Sequence, residues 1–430
     1  MKPHYTWRDI PSLLRTPVGR TRVWKAPIHR CWPLLQRLAM TYRRTALHHT
    51  HLLVVTGSLG KTTTARAISV ALGGTDSDVS LSNFKSGLAL AILRIPPWRR
   101  FAVIEAAIDG PGQMIQYARM IRPDVAVVTS IGSEHNRSLG SLEETRQEKM
   151  QILTGLSPRG VAVLNGDDPN VRWMEKQTKA RVVTFGLAEA NDVRASDIIL
   201  NWPKGTEFKL HAFGETYEVR TRLVGQVMIY PILAAITASF MEGISLDKIL
   251  LSLEKLSPTP GRLEPIQLPN GAFILRDDFK STLETVDAAI DLFSKIPAKR
   301  HIVVLGEVSE PPGAQGPIYR NIGEHIAKVA SRAIFIGGNF QRYAAGARLG
   351  GLPSSSLIDV GRNILKAADL LRNNLDPGDL ILIKGRDTQR LDRITLSLMG
   401  RKVRCNISFC NTRDDERCEY CPMLEREWKE

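Results

Sequence analysis

The run from Leu52 to Leu72 restricts the fold of this chain more than any other feature. Leu52-Leu53-Val54-Val55 is short, aliphatic and bounded by polar residues, and reads as a buried strand. It leads into Thr56-Gly57-Ser58-Leu59-Gly60-Lys61-Thr62 and then a helix expected from about Thr62 to Leu72. Main-chain N–H groups at a helix N-terminus lack partners and face the positive end of the helix dipole, so this unit is an anion site. Gly57 and Gly60 let the backbone fold tightly around phosphates, with Ser58, Leu59 and Thr63 completing the cradle. Lys61 is placed to neutralise the β- and γ-phosphates of ATP, and the Thr62 hydroxyl to ligate Mg²⁺. The usual phosphate loop has a glycine five residues before Gly60, where Val55 stands. This loop is the shorter Thr-Gly-x-x-Gly-Lys-Thr form.

Further apolar runs at Phe101–Glu105, Val125–Thr129 and Val161–Leu164 alternate with helical patterns, as in a mostly parallel sheet covered by helices. Ser141-Leu142-Glu143-Glu144 has the spacing of a capping box. From Ile198 to Arg222 the pattern becomes alternating strands with turns at Lys204-Gly205 and Gly214-Glu215, an antiparallel appendage closed by helices at 228–242 and 246–255. Pro258-Thr259-Pro260-Gly261 is a natural linker. Beyond it, strand candidates at His301–Leu305, Ala333–Ile336 and Leu380–Ile383 are separated by helices near 283–295, 318–330, 362–373 and 388–398. Gly306, directly after a strand, fits a Rossmann-like crossover. The expected fold is α/β, a central P-loop ATPase domain with a mostly parallel sheet plus a C-terminal Rossmann-like α/β domain. The expected division is a basic extension (1–50), a central domain (51–259), a C-terminal domain (260–404) and a Cys-rich tail (405–430).

The net charge of +14 is concentrated at the start, where residues 1–50 hold ten Lys or Arg against the single Asp9. Interleaved with Trp7, Trp24, Trp32 and Tyr42, the stretch suits either peripheral contact with an anionic membrane or a helical extension packed on the next domain. Nucleic acid is not an expected partner. The N-terminus lacks the apolar core of a secretory signal, and Val227–Met241, the longest apolar run, contains Pro231, Thr237 and Ser239. A packed helix and a cytoplasmic protein are expected.

Thr56–Thr64 resembles the opening motif of the Mur ligase family, and the likeness continues in order from about residue 52 to 400. Asn83 with Gly87, the strand ending in Glu105, and Arg122–His135 are similar to successive family segments. So are Gly140-Ser141 with Lys149, and Asn165-Gly166-Asp167-Asp168-Pro169. Pro260-Gly261-Arg262, Asp277–Thr282, Leu305–Glu310 and Gly378–Gly385 complete the series. The last two resemble the branch that adds D-alanyl-D-alanine to a muramyl tripeptide.

The resemblance implies an ATP- and Mg²⁺-dependent ligase that joins a carboxylate to an amino acid or short peptide through an acyl phosphate. It gives Glu105 and Thr62 the role of Mg²⁺ ligands, and makes His135 a second metal-linked residue beside Lys149, a lysine carbamylated in several members. Arg262 is brought to the γ-phosphate, and Lys280 and Asp278 stand on a loop that contacts nucleotide or substrate.

Departures from the pattern point to an acceptor other than a UDP-sugar, in cell-envelope or metabolite synthesis. Only about 50 residues precede the first strand and Arg386-Asp387 replaces Ser-Arg, while Val227 and Pro231 replace a polar pair, so that adenine is held differently. The tail carries Cys405, Cys410, Cys418 and Cys421, a set suited to tetrahedral Zn²⁺ or to free thiols. The alternative is an ATP-binding regulatory or scaffold protein without ligase activity.

Overall fold

A computed structural model describes Leu14 and residues 31–75, 85–132, 139–309, 311, 313–410, 417–421 and 424–425. The chain divides into two compact units, Lys25–Ser257 and one reaching from Pro258 to the C-terminus.

The first unit is built on eight strands: β1 (His51–Thr56), β2 (Phe101–Glu105), β3 (Val125–Val128), β4 (Val161–Asn165), β5 (Arg181–Gly186), β6 (Val193–Asn201), β7 (Gly205–Ala212) and β8 (Glu215–Thr221). Their order across the sheet is β2-β1-β3-β4-β5-β6-β7-β8. The pairs from β2 to β6 are parallel, and β6, β7 and β8 form an antiparallel end. Leu52 to Val55 and all of β3 and β4 are buried, as both faces of a parallel sheet require. The antiparallel end starts at Val193, before the expected Ile198. Its first residues carry Arg194 and Ser196, and a register shift between Ser196 and Ile199 breaks the alternation.

Helices cover both faces. In chain order they are α1 (Trp32–Thr45), α2 (Lys61–Ala71), α3 (Lys85–Leu93), α4 (Met114–Ile121), α5 (Leu142–Met150), α6 (Pro169–Arg172), α7 (Ile229–Met241) and α8 (Leu246–Leu253). Ile68 of α2 packs with Ile232 and Ile236 of α7 in one core, and Ala39 of α1 with Ile92 of α3 and Ile121 of α4 in the other. α7 is buried almost all round, so its apolar character reflects a core position. Among the described residues no helix is long and apolar enough to cross a membrane. α1 turns part of the basic extension into structure. Arg43 is buried and donates to the carbonyls of Ile121, Leu47, Thr50 and Arg122 and to the Asp124 carboxylate at 2.9 Å.

The second unit holds six strands: β9 (Glu264–Gln267), β10 (Phe273–Asp277), β11 (His301–Leu305), β12 (Arg332–Phe335), β13 (Leu357–Asp359) and β14 (Leu380–Lys384). The order is β13-β12-β11-β14-β10-β9, parallel except for the β9 edge. Its helices are α9 (Leu283–Ser294), α10 (Gln315–Val329), α11 (Phe340–Leu349), α12 (Ile364–Arg372) and α13 (Asp392–Leu398). α10 and α11 approach through glycine. A methyl group on Gly346 would overlap the Arg320 carbonyl, and one on Gly323 the Tyr343 carbonyl.

Candidate active site

The phosphate loop leaves the carboxyl end of β1, with β2 on one side and β3 on the other. This is the point where successive strands diverge, the place where α/β sheets bind ligands. Gly57 has φ of 141°, and a methyl group there would overlap Thr129 Oγ1. Only glycine fits, because the loop lies directly on the end of β3. Ser58 N donates to the Ser130 carbonyl (2.7 Å), Leu59 N to Ser130 Oγ (2.9 Å), and Thr129 Oγ1 to the Leu59 carbonyl (2.6 Å). Gly60, in the left-handed region, starts α2.

Lys61 is buried and its Nζ donates to the Ser58 carbonyl at 3.1 Å, folding the side chain back over the loop. Thr62 Oγ1 donates to Glu105 Oε2 at 2.8 Å. The sheet register explains the meeting, since Glu105 pairs with Val55, the residue just before the motif. Glu105 is 2% exposed. Two hard oxygen donors at this separation fit Mg²⁺, whose octahedral shell at ~2.05 Å puts neighbouring ligands ~2.9 Å apart.

Lys149 comes from α5, whose start is capped by Ser141 Oγ accepting from Glu144 N at 3.1 Å. Glu148 fixes the same helix against α4 by accepting from Gly112 N and Met114 N. Lys149 is 1% exposed and donates to Ser58 Oγ at 3.0 Å. Ser58 Oγ also accepts from Gly132 N at 2.8 Å, so this hydroxyl braces the loop from within. Ser133 to Ser138, including His135, lie outside the described residues, as do Asn83 and Glu310.

The Asn165–Pro169 turn supports the loop from β4. Asn165 Nδ2 donates to the Thr129 carbonyl at 2.8 Å, and Asp168 accepts from Ile131 N at 2.8 Å while capping α6. Asp167 accepts from Leu187 N, Ala188 N, Asn191 Nδ2 and the Tyr230 hydroxyl. Burial opposes its charge, yet these four donors together hold its carboxyl below the usual range. Burial and the Asp167 charge push the Tyr230 hydroxyl up, so it stays a donor. Val227 is exposed and Pro231 is buried in α7. Tyr230 is thus the polar side chain between the two altered positions, and nothing in residue spacing marked it.

In the second unit, Pro260-Gly261-Arg262 is held by charge. Gly261 N donates to Glu264 Oε2 (2.9 Å), and Phe279 N to the Gly261 carbonyl (3.2 Å). The Arg262 guanidinium lies 4.6 Å from the centre of the Phe279 ring. Asp277 and Lys384 face each other in register on β10 and β14 and form a buried pair at 2.7 Å. Lys384 also donates to the Lys280 carbonyl and to Thr285 Oγ1, fixing the backbone of the Lys280 loop. Burial pulls the Lys384 ammonium below its usual value, against the attraction of Asp277.

Asp278 is buried, and both its oxygens accept from Arg276 Nε at 3.1 and 3.0 Å. Arg276 also pairs with Glu264 across the β9–β10 ladder at 3.3 Å and lies 3.9 Å from Asp392. Three carboxylates therefore share one guanidinium. Burial pushes the Asp278 carboxyl up to about 6 although Arg276 opposes the rise, with Asp392 and Glu264 adding to it. Gln389, also absent from the residues singled out by sequence, accepts from Glu307 N at 2.8 Å and ties the β14 loop to the β11 loop.

Zinc, one of the readings of the cysteine tail, finds no site among the described residues. Among the described residues no three His, Cys, Asp or Glu side chains gather around a common point, Cys405, Cys410, Cys418 and Cys421 included. Arg393 organises the tail instead by donating to the carbonyls of Cys405 and Ile407, each at 2.7 Å. Cys418 N donates to Asp392, and burial beside that carboxylate pushes the Cys418 thiol up.

Family profiles described as Mur ligase middle domain and as Mur ligase, glutamate ligase domain match residues 55–239 and 261–386. The chain belongs to the Mur ligase family. A UDP-N-acetylmuramoyl-tripeptide–D-alanyl-D-alanine ligase of Bacillus subtilis is 28% identical over 85% of this chain and 79% of its own length. A crystal structure of MurF from Acinetobacter baumannii shares the fold with a TM-score of 0.77, 22% identity and coverage of 86% and 81%. MurF from Thermotoga maritima in complex with ADP gives a TM-score of 0.72, 22% identity and coverage of 86% and 83%. This Mur ligase is accordingly an ATP-dependent carboxylate–amine ligase, with ATP and Mg²⁺ as its nucleotide and metal.

Proposed function

We propose that this ligase activates its carboxylate as an acyl phosphate and works on an acceptor that carries no UDP-sugar. In the first step a carboxylate oxygen attacks the γ-phosphorus of ATP and ADP leaves. In the second, the amine nitrogen attacks the acyl carbon, the C–O bond to phosphate breaks, and the amine loses a proton. Phosphoryl transfer is governed by positioning and charge neutralisation. The Thr62–Glu105 oxygen pair beside buried Lys61 is the observation that supports this reading most directly.

Lys61 neutralises the β- and γ-phosphates and Arg262 the γ-phosphate. Thr62 and Glu105 hold Mg²⁺, which when bound offsets phosphate charge. Gly57, Ser58, Leu59, Gly60 and Thr63 shape the cradle. Lys149 acts beside the loop together with His135, and Lys280 faces substrate. Asp278 supports Arg262 indirectly, since its oxygens are taken up by Arg276.

The acceptor assignment is supported by Arg386 and Asp387, which stand where the family reads Ser-Arg. Asp387 N donates to the Phe279 carbonyl at 3.2 Å, so the altered pair adjoins the Lys280 loop. The reaction is placed in the cytoplasm, where ATP is supplied. A phosphate-release screen tests both parts, pairing UDP-muramyl tripeptide and UDP-free carboxylates with amino acids and dipeptides. Amine-dependent release with a UDP-free acceptor is expected. Turnover with the UDP-linked tripeptide alone would overturn the acceptor assignment, and ATP hydrolysis indifferent to acceptor and amine would overturn ligation.

A further inference from the structure

Two opposite charges stand side by side at the carboxyl edge of the second sheet. β12 follows β11 on one side and β14 lies on the other, so the ends of β11 and β14 form the switch point at which such sheets bind ligands. Leu305 pairs with Lys384, which sets Glu307 and Arg386 each two residues beyond the ladder. Gln389 fixes both loops from within. Its Oε1 accepts from Glu307 N at 2.8 Å and from Arg386 N at 3.4 Å, and its Nε2 donates to the Ile336 carbonyl at 3.2 Å. A methyl group on Gly306 would overlap Gln389 Oε1, and one on Gly337 would overlap the Glu307 side chain. The backbone around the two charges is therefore built to one shape.

The charges themselves are not joined. Arg386 Nε is buried without a partner, and among the described residues no carboxylate pairs with Arg386 and no cation with Glu307. The neighbouring Asp387 lends its charge to Arg390 and its N–H to the Phe279 carbonyl. Tyr319 of α10, 3% exposed, is the common neighbour of the site. Burial raises its hydroxyl, Glu307 adds to the rise, and Arg342 and Arg386 oppose it. Arg342 of α11 lies 5.9 Å from the centre of that ring, with Nη1 donating to Gln315 and Asn339.

A fixed cation beside a fixed anion, neither neutralised by the other, complements a ligand that carries both charges. Resting on the ligase reading above, we propose that Arg386 and Glu307 hold the amine substrate as a zwitterion, Arg386 at its carboxylate and Glu307 at its ammonium. The amine is then an amino acid or short peptide with both ends free. Arg386 sets the specificity: a guanidinium standing where the family has serine offers a carboxylate a charge-assisted, two-pronged contact. An amidated substrate leaves that guanidinium unanswered. A simple anion would serve Arg386 but face repulsion from Glu307, and a polyamine would do the reverse.

The test measures binding to the full chain with ADP present, by ligand-observed NMR. The probes are alanylalanine in its L,L and D,D forms, each with its C-terminal amide and its N-acetyl derivative. The wild-type chain should bind one free dipeptide at least about tenfold more tightly than either blocked form. Arg386→Ser should bind acid and amide alike yet still disfavour the N-acetyl form, and Glu307→Gln should show the opposite pattern. Each ratio is taken within one protein, so general damage to a variant lowers both probes together and leaves the ratio unchanged. An acid-to-amide ratio that survives Arg386→Ser would overturn the proposal, as would a wild-type chain that binds none of the probes or all of them equally. The predicted binding pattern without amine-dependent phosphate release would leave this subsite standing and remove ligation. Amine-dependent release with an unaltered ratio in Arg386→Ser would leave ligation standing and remove the subsite.

Discussion

The phosphate loop and the Pro260–Arg262 loop each hold a cationic side chain in place, and they do so with different materials. Around Gly57–Thr62 the loop is held by main-chain and hydroxyl groups, with Ser58 N bonded to the Ser130 carbonyl, Leu59 N to the Ser130 hydroxyl, and a short hydroxyl bridge from Thr129. Around Arg262 it is charge against charge, with Glu264, Asp278 and Asp392 gathered on Arg276 and Asp277 on Lys384. Main-chain construction is insensitive to pH but intolerant of an added atom. A buried charge network tolerates shape better and responds to protonation and to the loss of one partner. The two units of this ligase should therefore fail in different ways.

The largest effect is expected at the first loop. Lys61→Ala should lower turnover by ~10²–10³-fold, as loss of a preorganised charge-stabilising group does, with little change in melting. Gly57→Ala should match it, because the new methyl collides with Thr129, and nucleotide affinity measured by calorimetry should fall with turnover. Normal turnover in either variant would break the comparison on this side.

Next comes Lys384→Met in the second unit. It leaves Asp277 buried without its partner, and removing one member of such a pair costs about 3–5 kcal/mol. Chemical denaturation should show this loss, and the Lys280 loop, no longer held by the Lys384 ammonium, should become protease-sensitive. An unchanged midpoint would mean the charge network is decorative.

A smaller effect concerns pH. The Asp278 carboxyl is raised to about 6 from 3.8, so the folded state binds this proton more tightly than the unfolded chain. Its contribution to stability is complete below 3.8 and is lost as pH rises through about 6, by up to roughly 3 kcal/mol for a two-unit shift. Asp278→Asn should flatten the stability profile across that window, while the wild-type and variant phosphate loops bind ADP alike at every pH.

The smallest is Ser141→Ala, which removes the cap of the helix that presents Lys149 and should cost about 1 kcal/mol.

How much of this was legible follows the same division. The phosphate loop is contiguous, and each residue type carries its reason in the motif, so Gly57, Lys61 and Thr62 were readable. Glu105 and Lys149 lie far along the chain and were reached only through family resemblance. The start of α5 was readable from its capping box, but the meeting of Glu105 and Lys149 with the loop depends on the Val55–Glu105 register and on how α5 packs, which no local pattern gives. The network on Arg276 was not legible. Its members are spread from Glu264 to Asp392, and each looks like an ordinary surface charge until the sheet brings them together. β9 and β10 escaped for a related reason, since Glu264, Pro265, Arg276 and Asp277 interrupt the apolar signal of a strand. α11 was hidden by Gly346, present because the Arg320 carbonyl approaches too closely for any side chain. The cysteines misled because their number and crowding suit zinc, whereas Arg393 holds the tail through its carbonyls.

The most direct test of the ligation chemistry follows oxygen atoms. With acceptors found in the phosphate-release screen and labelled with ¹⁸O in the carboxylate, the released phosphate is analysed by mass spectrometry. Phosphate leaves the acyl phosphate carrying one acceptor oxygen, so with both carboxylate oxygens labelled the expected result is one ¹⁸O in each phosphate and one retained in the amide carbonyl. Unlabelled phosphate produced during amine-dependent turnover would contradict it.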